Sequence, residues 1–220
     1  MTESGIASPD ISPRRRRRTR SVEKAQAILT AATREFIRRG YERAGMDAIA
    51  EEAGVSKQTI YNHYGSKEAL FEAIVSLRSG RLLSPLHDPE LSRRTPAEAL
   101  RSLGREFLDV VLDPSSLGLY RVLLAEVGRF PELGQSTYQQ GPARSVATLA
   151  RYLADEHARG RLEVPDPVLS SEQFFGMLMG HMQLRALLGV ENRPTAARRD
   201  AFIGHAVATF LEAHRPELRG

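Results

Sequence analysis

Four side chains within five positions, Gln58, Thr59, Tyr61 and Asn62, are uncharged and able to hydrogen-bond. Such residue types suit the edges of nucleobases: Gln and Asn can pair with adenine in a major groove, and a threonine methyl can touch that of thymine. They do so only when one rigid element presents them together. At about 100° per residue of helix, Gln58 and Asn62 share a face, Thr59 and Tyr61 flank it, and Ile60 and Tyr64 point the other way. Lys57 and Lys67 stand at the rim, where phosphates would lie, with His63 beside them.

Positioning those groups requires two short helices crossing steeply over a tight turn. Such a crossing needs a small residue where the backbones approach, a glycine at the turn and an apolar anchor on the second helix. Ala50, Gly54 and Ile60 meet these needs at offsets of four and six, the spacing of a helix-turn-helix. The spacing predicts helices over 46–53 and 57–64, the second capped by Ser56. Upstream, Ala25, Ile28, Leu29, Ala32, Phe36 and Ile37 form the buried stripe of a helix that Ser21 can cap and that Gly40 ends in a left-handed turn. Downstream, Gly65–Ser66 introduces a fourth helix with Ala69, Leu70, Ile74 and Leu77 on its apolar side. Tyr64 and Phe71 read as core, and His63 can equally cap or solvate its helix end.

Charge sharpens the picture. The chain of 220 residues carries a formal +4, and all of that excess lies in residues 1–80, with 14 Lys and Arg against 10 Asp and Glu. Arg14, Arg15, Arg16, Arg17, Arg18 and Arg20 supply six positive charges in seven positions, so the basic signal is an arm. Residues 1–20, rich in Ser, Pro and Arg, are expected to be a disordered basic arm adding sequence-independent affinity for phosphates. Residues 21–80 are then the helix-turn-helix unit, and 81–220 a separate helical domain.

The second part is punctuated like a helical bundle. Thr95-Pro96-Ala97-Glu98 is a capping box with proline at the first helical position, and Asp113–Pro114, Phe130–Pro131, Gly160, Asp166–Pro167, Gly189, Pro194 and Pro216 mark further ends. Gly141–Pro142 should break or kink its segment. No run alternates with period two for long enough to read as a strand, so the fold class is all-α with about nine helices. Gly176 and Gly180, with Leu184, Leu187, Leu188 and with Ala201, Ala206, Val207 and Phe210, can form half of a dimer's four-helix bundle or pack within one chain. Phe107, Tyr120, Tyr138, Met177 and His181 are candidates for a ligand cavity, and each also fits an ordinary core position.

Several classes drop out. The absence of cysteine removes disulfides, thiolate metal sites and a cysteine nucleophile. The six histidines, His63, His87, His157, His181, His205 and His214, show no pair at metal-binding spacing, so no metal or cofactor is expected. No glycine-rich phosphate loop, nucleophile elbow or Ser/His/Asp grouping supports catalysis. The stretch 174–190 carries His181, Gln183 and Arg185, too polar to span a membrane, and the chain reads as cytoplasmic.

Residues about 22 to 75 resemble the DNA-binding domain of the TetR family of bacterial transcriptional regulators, from Ala27-Ile28-Leu29-Thr30-Ala31-Ala32 through Met46-Asp47-Ala48-Ile49-Ala50 to the run Ala53–Phe71. Residues 120–188 are similar to the AefR-like branch, through Tyr120-Arg121, Ala125-Glu126, Gly128–Gly134, Gly141–Pro142 and Glu172-Gln173-Phe174. The resemblance implies a homodimer joined through its last two helices, a third helix entering the major groove of a palindromic double-stranded operator, a phosphate-contacting Lys67, and a small apolar or amphipathic effector in the C-terminal domain. One position departs from the pattern: Ala44–Gly45 stands where members carry Ser or Thr, which leaves the backbone amides at Gly45 and Met46 to meet phosphate unaided. The resemblance favours a ligand-released repressor. A transcriptional activator, a non-specific nucleoid-type binder and a scaffold for protein partners are the other readings.

Overall fold

A computed structural model of the chain describes residues 13–190 and 194–216, and describes side chains from residue 21 onward. Among these residues the structure is helical throughout, with eleven α-helices. Helix α1 (Pro13–Arg43) is followed by α2 (Met46–Ala53), α3 (Lys57–Tyr64) and α4 (Lys67–Leu82). Two short 3₁₀ turns, Ser84–His87 and Leu91–Arg93, lead into α5 (Pro96–Val111), α6 (Pro114–Glu126) and α7 (Pro131–Tyr138). The chain continues through a π-helical turn, Gln139–Ala143, into α8 (Arg144–Ala158), then α9 (Pro167–Met179), α10 (Met182–Leu187) and α11 (Ala196–Ala213).

Local chemistry sets most of these boundaries. Thr95 and Glu98 form both halves of the capping box at α5, and Asp113 and Asp166 each accept two backbone amides at the starts of α6 and α9, with proline following. Helix α1 differs from expectation at both ends. It begins at Pro13, so Ser21 lies inside it rather than capping it. At Gly40 the backbone takes φ 78°, ψ 169°, a kink with an extended ψ instead of a left-handed cap. A side chain there would meet the Glu126 carboxylate at 3.2 Å, so the glycine admits the end of α6. Everything before Pro13, and the side chains of the arginine run Arg14–Arg18 and Arg20, lie outside the described residues.

Gly141–Pro142 does not break its segment. Pro142 lacks the amide hydrogen an α-turn needs, and the helix widens by a residue there and runs on from Pro131 to Ala158. Gly180, in contrast, does stop a helix. With φ 46°, ψ −141° it ends α9, so Gly176 and Gly180 do not share one continuous helical face and His181 is an exposed linker residue.

Two hydrophobic cores hold the bundle. One joins α5, α8, α9 and α11 through Leu100, Leu103, Phe107, Leu149, Phe174, Val207 and Phe210. Gly104 is required there, since a Cβ would sit 2.9 Å from Ile203 Cγ2 and 3.2 Å from Leu178 Cδ2. The other packs α1 to α4 through Ile28, Phe36, Ile49, Ile60, Leu70, Phe71 and Ile74, and it also contains Leu119, Leu123 and Leu133 from α6 and α7. Helix α1 therefore lies between the N-terminal helices and α6. Ile37 packs against Gly118 on that seam while remaining partly exposed, and Leu77 faces outward from α4 rather than inward.

Candidate nucleic-acid interface

The α2–α3 corner is built from the turn outward. Gly54 adopts φ 65°, ψ 35°, the left-handed conformation that closes α2, and its amide hydrogen bonds back to Ala50 and Glu51. Ser56 caps α3 by accepting the Thr59 amide at 3.1 Å. Ile60 is fully buried and anchors α3 on the core, while the Tyr64 hydroxyl reaches the Ala25 carbonyl at 3.4 Å. The opposite face of α3 therefore has to look out.

That face carries Gln58, Tyr61 and Asn62, all exposed. The Gln58 Nε2 donates to Asn62 Oδ1 at 2.8 Å, which aligns the two amides one helical turn apart. The bond leaves an acceptor and one N–H on Gln58 and both N–H groups of Asn62 for a base edge, on side chains that are exposed. Thr59 is half-buried, its hydroxyl 2.8 Å from Ser56 Oγ, so the cap shares its polar group.

Around this face sit the cations. Lys57 is exposed but pairs with Asp47 at 2.9 Å, a hydrogen bond that raises the lysine above its ordinary pKa and that a phosphate would have to replace. His63 is exposed at the end of α3. Lys67 turns back: its Nζ donates to the Glu42 carbonyl at 2.8 Å and lies 5.2 Å from the centre of the Tyr41 ring. Burial pushes this ammonium below the ordinary lysine value, against the pull of Glu42, Glu126 and Glu35.

At the start of α2 the Met46 side chain is in the core, so only backbone can face a phosphate there. Gly45 receives no side-chain cap from its own segment. Instead the Glu35 carboxylate reaches from α1 and accepts the Gly45 amide at 3.3 Å, while also binding Arg38. Burial alone would raise this carboxyl, yet the Arg38 guanidinium and the Gly45 amide outweigh it and hold it below the ordinary 4.5. Sequence reasoning missed Glu35 because a lone glutamate on a helix otherwise facing the core reads as an interruption of the pattern.

A second site lies behind the first. A cavity of about 300 Å³ opens between α4, α5, α6, the end of α7, the π-helical turn, α8, α9 and α10. Of the candidate residues, Phe107 and Tyr120 line it, and Tyr138, Met177 and His181 do not. Tyr138 is 54% exposed, and α9 turns Phe175 and Met179 to the cavity while Met177, some 200° of helix away from each, packs elsewhere. The wall includes α4 residues the pattern did not single out: Phe71, Val75, Arg78, Ser79 and Leu82.

The two sites are joined by aromatic contacts. Phe71 packs edge-on to Tyr41 at 5.8 Å between ring centres, Tyr41 packs against Phe130 at 5.4 Å, and Lys67 lies over Tyr41. Glu42 pairs with Arg129, and its amide donates to Glu126 at 3.5 Å. The α6–α7 corner thus grips the α1–α2 junction next to the Lys67 ammonium.

A buried anchor, a left-handed turn, an outward amide face and flanking cations define a helix-turn-helix DNA-binding protein. Residues 28–74 match the model for bacterial regulatory proteins of the tetR family, and residues 98–216, more than half of the chain, match the AefR-like transcriptional repressor C-terminal domain. The chain belongs to the TetR family of bacterial transcriptional regulators. Among solved structures it is similar to a TetR-family regulator from Mesorhizobium loti, with 32% identity and a TM-score of 0.75 over 89% of this chain and 98% of that one. It is also similar to the flavonoid-responsive regulator FrrA, with 33% identity and a TM-score of 0.69 over 89% of this chain and 99% of that one. Among curated relatives, the transcriptional activator FasR of Mycolicibacterium smegmatis is 35% identical over 107 residues, 49% of each chain. The regulator UidR of Escherichia coli K12 is 39% identical over 62 residues, 28% of this chain and 32% of that one. These curated matches span about half or less of each relative's length.

Proposed function

We propose that the protein is a homodimeric, cytoplasmic repressor that reads a palindromic operator through α3 and releases it when a small apolar or amphipathic effector fills the cavity. The observation that carries the reading is the outward pair Gln58–Asn62 on a helix whose opposite side is anchored by buried Ile60. Base contacts fall to Gln58, Thr59, Tyr61 and Asn62, and phosphate contacts to Lys57, His63, Lys67, the amide at Met46 and, where phosphate displaces the Glu35 carboxylate, the amide at Gly45. The arginines at 14–18 and 20 add affinity without sequence preference.

Two copies are needed because one α3 spans only part of a groove turn, and a palindrome read twice multiplies discrimination. The outward faces of α9 and α11 support that pairing: Val168, Leu169 and Gly176 on one, Ala201, Phe202, His205, Ala208 and Thr209 on the other, all exposed in the single chain. Ala206, Val207 and Phe210 pack inside the chain and take no part.

The effector acts by binding the DNA-incompetent arrangement more tightly than the competent one. Phe71 belongs to both the cavity wall and the aromatic cluster under Lys67, so a ligand that moves α4 also moves the α1–α2 junction. Activation is the second reading, favoured by the name of FasR. Selection of duplexes from a random pool, followed by a reporter placed behind the selected site, tests the proposal. A palindrome that silences the reporter in the protein's presence fits repression, induction fits activation, and failure to enrich any sequence overturns both.

A further inference from the structure

The geometry points to an uncharged effector, an elongated or flat apolar molecule bearing a single hydrogen-bonding group that meets Thr137. This rests on reading the cavity as the effector site and adds the chemical class of its occupant.

Among the described residues, every wall residue but one is without formal charge, and no Asp, Glu, Lys or His lines the space. The exception is Arg78, and its guanidinium is already committed. Nη1 bonds Ser116 Oγ at 2.6 Å and Asp113 Oδ1 at 3.3 Å, and Nη2 bonds Ser115 Oγ at 2.7 Å. Asp113 in turn caps α6, so freeing Arg78 for a carboxylate or phosphate would unpair that aspartate and leave its charge beside the incoming anion. A carboxylate entering this space would find no compensating cation, and an ammonium no anion; both are expelled by desolvation.

One polar group in the wall does lack a partner. Thr137 Oγ1 is buried and makes no hydrogen bond, although a threonine on a helix ordinarily returns its hydroxyl to a carbonyl one turn back. It sits just before the π-helical turn. Ser145, across that turn, follows the ordinary habit and donates to Gly141 O at 3.0 Å. Turned about its Cα–Cβ bond toward the cavity, the Thr137 hydroxyl can meet a hydroxyl or carbonyl of a ligand whose body lies among Phe107, Val110, Phe175 and Met179.

The test uses the full-length protein at pH 8 with N-phenyl-1-naphthylamine, a neutral dye that brightens in apolar sites, displaced by 1-decanol or by decanoate. The uncharged alcohol should displace the dye at roughly a hundredfold lower concentration than the acid, because the acid must shed its charge or bury it unpaired. Displacement by decanoate at equal or lower concentration overturns the inference. Thr137→Val keeps the shape and removes the hydroxyl; it should weaken decanol about three- to tenfold with dye affinity unchanged, and an unaltered decanol affinity overturns the role of Thr137. Val146→Phe fills the cavity. Dye binding should fall, whereas dye binding equal to that of the parent, in a variant whose melting remains cooperative, refutes the effector-site reading itself and not merely the ligand's class.

Discussion

Gln58→Ala and Asn62→Ala test the recognition face most directly. A bidentate amide–base contact is worth about 1–3 kcal/mol of discrimination, and a symmetric dimer loses it in both half-sites, so each variant should lose about 2–6 kcal/mol on the selected operator, from thirtyfold upward. The two amides bond each other at 2.8 Å, so they act as a unit and the double variant should lose less than the sum of the two. Neither side chain carries charge, and the salt dependence of binding should therefore keep its slope. Folding should be almost untouched, since both residues are exposed on a helix where alanine is well tolerated. Fluorescence anisotropy on the operator and on a scrambled duplex, across a salt series, reads all of these at once. Equal losses on both duplexes, or no loss on either, would refute the argument that α3 reads sequence through this face.

Removing the rim lysines should do the opposite. Lys57→Ala should weaken operator and scrambled duplex alike and flatten log affinity against log salt by about 1.8 units for two copies; Lys67→Ala should match it, and a zero change there would mean Lys67 stays with the Glu42 carbonyl on DNA. Gly104→Ala forces a methyl into Ile203 and Leu178, and calorimetry should record a loss of about 1–3 kcal/mol of stability. Glu35→Gln should lower stability by roughly 1–3 kcal/mol, because it weakens the bonds to Arg38 and the Gly45 amide. The Glu35 carboxyl titrates below its ordinary 4.5 in the folded chain, so its contribution is fully present above that pH and fades as the solution is acidified through the lower, folded value. Denaturant titrations between pH 7 and pH 3 should show the parent and Glu35→Gln converging at the acid end, and curves that stay parallel would remove Glu35 from the account.

The sequence revealed the α2–α3 corner well because its determinants are local. Gly54, Ser56 and Ile60 act within one or two turns of the backbone they shape, so the boundaries at 46–53 and 57–64 followed from spacing alone. The capping box at Thr95 was legible for the same reason. The cavity was not. Its wall is assembled from eight helical segments spread between residues 71 and 183, and which face of α9 lines it depends on how α9 packs, so Met177 was chosen where Phe175 and Met179 belong. Gly180 misled in a similar way: small residues four apart suggest a close helix contact, but a positive φ at the second turned it into a stop. The start of α2 shows a third limit, since Glu35 lies ten residues before the amide it holds.

Because Leu119, Leu123 and Leu133 sit inside the hydrophobic core of the first four helices, the reading head borrows part of its own interior from downstream. Cutting the chain after α4 would tear those leucines out and expose Phe36, Phe71 and Ile74 to water. The two halves should thus melt in one transition. A chimera that grafts this head onto another sensor would have to bring α6 and the beginning of α7 along with it.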